Sequence, residues 1–169
     1  MQPSGCPVGQ ENFKSKGFIF LEILISITLI SVVFITILGI GFLSLNLSSS
    51  IKETTRADFL VKEELEAVRS FRDKTTWANF IDVNFGGANP YYFVLSNNEW
   101  NRNSGTETVG IFTRNVIFDK VSRDPTTNYI ESVYDPSRDD PDTKKITVNV
   151  IWSGKTHQIL TYLTNWQNK

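Results

Sequence analysis

Glu22 constrains the chain more than any other residue, because it is a carboxylate set four residues into an apolar stretch that begins at Phe18. At mid-membrane such a charge costs about 2.5–3.5 kcal/mol on insertion scales, and less near the interface. It needs a partner. The nearby cations are Lys14 and Lys16. Cutting the chain after Gly17 would create another, the α-amino group of Phe18, which in a parallel bundle of such helices would meet the Glu22 of a neighbouring copy. Left uncut, the carboxylate snorkels to the lipid headgroups or is held protonated.

The other groups with chemical potential are few. Asp135, Asp139, Asp140 and Asp142 crowd one segment. Ca²⁺ takes several oxygen ligands, so these carboxylates form a candidate calcium loop. Their spacing is not that of an EF-hand, and Pro136, Arg138, Pro141 and Lys144 intervene, as in a solvated loop. The single histidine, His157, has no Cys or Glu at ligand spacing and reads as a strand residue near a turn. The single cysteine, Cys6, excludes an intrachain disulfide and a thiolate metal cluster. Glu63 and Glu64 are assigned to a solvated helix face. Trp77, Tyr91, Tyr92, Trp100, Trp152 and Trp166 could build a sugar- or base-stacking surface, but such residues more often pack a small β head. No G-x-S-x-G, Walker, G-x-G-x-x-G or H-E-x-x-H pattern occurs. The sequence therefore points to no catalytic residue, no cofactor and a non-enzymatic role. With a net charge of -1 and no basic tract, charge gives no indication of nucleic-acid binding.

No residue from Ile23 to Ile51 is charged, while nearly every Asp, Glu, Lys and Arg lies beyond. That asymmetry describes a membrane segment followed by a soluble domain. As a helix, Ile23 to Leu47 would be about 37 Å long, more than the ~30 Å of bilayer hydrocarbon. Ser26, Thr28, Ser31 and Thr36 within it suit close helix packing and can bond back to their own backbone. The apolar core is too long for a secretory signal peptide, and no small-x-small site closes it. Lys14 and Lys16 on the near flank imply that the N-terminal side stays cytoplasmic and the C-terminal domain crosses.

Beyond Ile51 the pattern turns amphipathic. Ala57, Leu60, Val61, Leu65, Val68 and Phe71 share one stripe at helical spacing. Asp58 and Lys62 stand at a favourable i,i+4 spacing on the charged face, and Phe59 points away from the stripe. One continuous helix is expected, laying its second half on a globular head. Past Thr75 the period shifts toward two. Gly86 to Pro90 reads as a loop, Tyr91 to Leu95 as a strand, Ser96 to Gly105 as a polar turn region, and Val109 to Val121 as one long strand or two. Ile146 to Trp152 is the clearest strand, turned by Ser153-Gly154-Lys155 into a partner over Gln158 to Asn165. The expected fold class is α+β, a long N-terminal α-helix packed on a small antiparallel β-sheet. The expected division is a leader at 1–17, a transmembrane segment at 18–50, its amphipathic continuation at 51–74 and a β-rich head at 75–169.

The run Lys16-Gly17-Phe18-Ile19-Phe20-Leu21-Glu22, leading straight into the uncharged helix, resembles the prepilin peptidase site of type IV pilins and type II secretion pseudopilins. Phe112-Thr113-Arg114 and the strand from Ile146 to Trp152 are similar to the heads of minor pilins and minor pseudopilins. This resemblance implies that a membrane protease cuts between Gly17 and Phe18 and N-methylates Phe18, and that Glu22 serves subunit docking. It implies as partners the prepilin peptidase/N-methyltransferase, other pilin or pseudopilin subunits, the assembly platform with its ATPase, and membrane lipid before assembly. It also implies a path from the cytoplasmic membrane, head outside, to an extracellular or periplasmic filament. Some pseudopilins bind calcium in a late loop, which bears on the four aspartates. The sequence departs from the family at Ile19, where Thr or Ser is usual. It also lacks a mid-helix proline; Gly39 and Gly41 could loosen the helix there, at about 1 kcal/mol each relative to alanine. The competing expectation is a single-pass, uncleaved membrane anchor carrying an extracytoplasmic binding domain.

Overall fold

The computed structural model describes residues 12–166, with side chains from residue 17 onward. Residues 1–11 of the expected leader, Cys6 among them, and the side chains of Lys14 and Lys16 lie outside the described residues. The chain forms two compact units, Met1–Ile51 and Lys52–Lys169. One helix, α1 (Asn12–Lys74), runs through both.

In the first unit the apolar side chains from Phe18 to Leu47 are exposed on every face of α1. The helix is long and apolar enough to cross a membrane, and none of its most apolar window is buried by the described residues. Its hydroxyls are satisfied locally: Ser26 donates to the Glu22 carbonyl, Ser31 to Ile27, Thr28 to Ile25 and Thr36 to Val33, each at 2.7–2.8 Å. These four hydroxyls thus add no unpaired donor to the surface.

In the second unit α1 packs on a six-stranded antiparallel sheet, so the architecture is α+β as the periodicities indicate. The strands are β1 (Tyr91–Ser96), β2 (Glu99–Ser104), β3 (Glu107–Val109), β4 (Phe112–Ser122), β5 (Asp139–Trp152) and β6 (Lys155–Thr164). Their order is β2-β1-β4-β5-β6, with β3 also on β4. The helix contributes Ala57, Leu60, Val61, Leu65 and Val68 to the core, and the sheet answers with Phe93, Val116, Phe118, Ile146, Val148 and Val150. Each such side chain, once buried, contributes about 1.5–3 kcal/mol relative to exposure. Phe59, off the stripe, is exposed.

Two expectations are corrected. The segment read as a polar turn region contains β2. Asn97 and Asn98, at φ 53° and 64°, make a two-residue turn. Turns of this kind match the natural strand twist, so the chain folds straight back on β1. β2 is polar outward, yet Trp100 and Arg102 stand opposite Leu95 and Phe93. The second correction concerns β5, which begins at Asp139 rather than Ile146: β6 pairs it back to Thr143, and β4 pairs Lys145, Lys144 and, past a register shift, Asp139. The segment from Val109 to Val121 resolves as two strands, hinged at Gly110.

Between α1 and β1, a short helix α2 (Trp77–Phe80) buries Phe80 against Phe118. Arg102 clasps this connection: its guanidinium donates to the Phe80 and Asp82 carbonyls at 2.8 and 2.7 Å. Its plane lies over Phe71 and Tyr91. The Tyr91 hydroxyl in turn accepts from the Asn84 N–H.

Candidate functional site

Gly17, Phe18 and Glu22 lie on one uninterrupted turn-and-a-half of α1. Phe18 and Glu22, four apart, share a face and flank a shallow hollow with Leu21, Ile25 and Ser26. Among the described residues no hydrogen bond or ion pair reaches the Glu22 carboxylate. A Cβ built on Gly17 would meet nothing within 4 Å. No packing contact described in this chain therefore calls for glycine at that position.

The four aspartates are not brought together. Asp135 caps the helical turn at Pro136–Arg138, accepting from the Ser137 N–H and hydroxyl at 2.9 and 2.8 Å. Those bonds, with Arg138 at 2.9 Å, hold it below the ordinary carboxylate range. Burial, and after it Asp139, raises the Tyr134 hydroxyl above its ordinary range. Asp140 pairs with Arg123 at 2.5 Å and accepts from the Asp142 N–H. Burial would raise Asp140, but Arg123, Thr143 and that N–H hold it low. Asp142 accepts from the Asn165 amide at 2.9 Å. Among the described residues, no three His, Cys, Asp or Glu side chains are gathered in a way that could hold a metal ion. The carboxylates instead tie β5 to its surroundings.

The charged centre of the head lies elsewhere, at a residue assigned above to solvent. Glu64 is fully buried, and this corrects the reading of Glu63-Glu64 as a solvated pair. One of its oxygens accepts from the Phe93 N–H at 2.7 Å. The other lies 3.1 Å from Arg114 Nε, close enough for ion pairing but without hydrogen-bond alignment. Arg114 spends that N–H on Glu107 at 2.5 Å and reaches Glu63 with Nη1 at 3.0 Å. Burial pushes Glu64 up to about 7, against the pull of Arg114 and the Phe93 N–H; Glu107 and Glu63 add to the rise. Burial would lower Arg114, but the three carboxylates outweigh it and hold it above its ordinary range. The signal was available in the sequence. Glu64 stands four after Leu60 and four before Val68, inside the stripe, and Arg114 alternates in phase with Phe112, Val116 and Phe118.

His157 sits on β6 next to its turn, as expected, but has an acidic neighbour from the helix. Its Nε2 is 3.5 Å from Asp58 Oδ1, and Asp58 also holds Lys62 at 2.7 Å. The aromatic residues divide between packing and surface. Tyr91 and Trp152 are buried, Trp77 stacks on Phe80, and the exposed Trp166 is covered by Arg72.

Comparison of the chain with models of known protein families, with curated proteins and with solved structures finds no match.

Proposed function

We propose that this chain is the precursor of a filament subunit of the type IV pilin or type II secretion pseudopilin kind, with a structural rather than enzymatic role. The observation that carries this reading is the placement of Gly17-Phe18 and Glu22 at the head of a helix whose apolar surface is uncovered on all sides. Two features support it. Gly17 answers to no packing contact described in the chain, as suits a residue recognised by a protease. Glu22 has no partner among the described residues, as suits a carboxylate whose cation comes from a neighbour.

In this reading the chain enters the membrane with its N-terminal side in the cytoplasm and its head outside. Prepilin peptidase cuts between Gly17 and Phe18 and methylates the new amine. Helices of several subunits, brought together by the assembly platform and its ATPase, then exchange lipid for each other. Close packing along Ser26, Ser31, Gly39 and Gly41 drives the exchange, with the Phe18 ammonium meeting a neighbouring Glu22.

N-terminal sequencing and intact mass of the membrane-fraction protein test the reading. A chain starting at N-methyl-Phe18 is expected. A chain starting at Met1 would replace it with the uncleaved single-pass anchor bearing an extracytoplasmic binding domain.

A further inference from the structure

We propose that the head binds an acidic sugar unit in a cavity of about 330 Å³ beside the far ends of β4 and β5, lined by Phe85, Gly86, Asp119, Lys120, Tyr134 and Lys145. The volume is at the small end of ligand sites and suits one ring rather than a chain. Phe85 and Tyr134 give it aromatic walls, onto which the C–H face of a sugar ring packs. Gly86, at φ +94°, keeps the rim low: a Cβ there would meet nothing within 4 Å, and a side chain would strain the backbone.

The polar groups divide into two sets. Lys145 and Asp119 pair across the β4–β5 ladder at 3.0 Å, half of a donor–acceptor set that hydroxyls can join. Lys120 is different. Its ammonium lies 5.3 Å from the centre of the Phe85 ring, and among the described residues no carboxylate lies within ion-pairing distance of it. Lys144, directly across the ladder, places its own ammonium 6.0 Å from the same ring and donates to the Asp140 carbonyl at 2.8 Å. Burial, with the charge of Lys120, lowers Lys144 against the pull of Asp139, Asp140 and Asp142. Lys144 is thus balanced by neighbouring carboxylates, and the Lys120 ammonium is the cation that an incoming carboxylate pairs with. Asp119 on the other wall disfavours a compact polyanion such as phosphate and favours a ligand with hydroxyls to donate. One carboxylate on a hydroxylated ring satisfies both walls.

The test uses the full chain in detergent micelles, with saturation-transfer NMR and calorimetric titration of glucuronate, glucose and inorganic phosphate. Glucuronate is expected to bind with a Kd of about a millimolar, and glucose at least about tenfold more weakly. Lys120→Met should weaken glucuronate by about tenfold or more, as loss of a charged contact does, while Lys120→Arg keeps it within about threefold. Both variants should melt with the wild type, since Lys120 is exposed. The proposal is overturned by no glucuronate binding, by equal binding of glucose, by phosphate binding as tightly as glucuronate, or by Lys120→Met binding like the wild type.

Discussion

The two stretches of α1 share a conformation and differ in what surrounds them. From Phe18 to Leu47 the helix is apolar all round and its apolar side chains stay exposed among the described residues, whereas between Ala57 and Val68 it buries one stripe under the sheet. Each stretch carries a carboxylate in apolar company. Glu64 has its partners supplied by the fold, the Phe93 N–H and the Arg114 guanidinium. Glu22 has none among the described residues. A helix that completes its contacts internally makes a domain, and one that leaves them open makes an assembly element or a membrane anchor.

Substitutions in one stretch should leave the other untouched. Gly17→Val is expected to abolish processing, read as a membrane-fraction mass that retains the first seventeen residues, with an unchanged melting curve for the head. Normal cleavage would remove Gly17 from the site. Glu22→Ala should be processed normally yet enter filaments about tenfold less, measured by quantifying sheared fibres; full incorporation would leave the carboxylate without its docking role.

In the head, Arg114→Met should cost about 3–5 kcal/mol by leaving Glu64 buried without a cation, followed by chemical denaturation at pH 8. The double change with Glu64→Leu should recover most of that loss, and failure to do so would mean that Arg114 matters chiefly through Glu63 and Glu107. The pH dependence follows from the sign of the shift. Glu64 titrates at about 7 folded against an ordinary 4.5, so its contribution to stability is fully present below about 4.5 and is lost as pH rises through about 7. The loss is up to roughly 3 kcal/mol, and Glu64→Gln should flatten it. The smallest expected effect is that of Ca²⁺, which should move the melting temperature by less than about 1 °C, because Asp135, Asp140 and Asp142 are engaged elsewhere. A rise of several degrees would restore the calcium loop.

The long elements were legible because their periods are clean. The stripe from Ala57 to Val68 and the alternation of Ile146, Val148, Val150 and Trp152 both face the core. β2 was not legible, since Glu99 to Ser104 has neither an apolar run nor β-branched residues; its fold-back is dictated by Asn97 and Asn98. The start of β5 was hidden by aspartates and Pro141, and its pairing depends on β4 at Asp139 and on β6 from Thr143. Glu64 was misplaced because a Glu-Glu doublet suggests solvent, although consecutive helical positions lie about 100° apart and can fall on different faces. Its partner Arg114 lies fifty residues away, and no local pattern connects them. The cavity at Lys120 joins a loop, two strands and Tyr134, a juxtaposition that only the tertiary fold creates.

The three tight turns of the head also have a kinetic consequence. Pairings β1–β2, β3–β4 and β5–β6 each close over two residues, so three of the five strand pairings in the sheet are local. Hairpins of this kind form in about 1–10 μs, whereas the β4–β5 ladder must wait for a longer loop to close. The head would then acquire ordered hairpins almost at once, with the docking of β5 on β4 as its slow step.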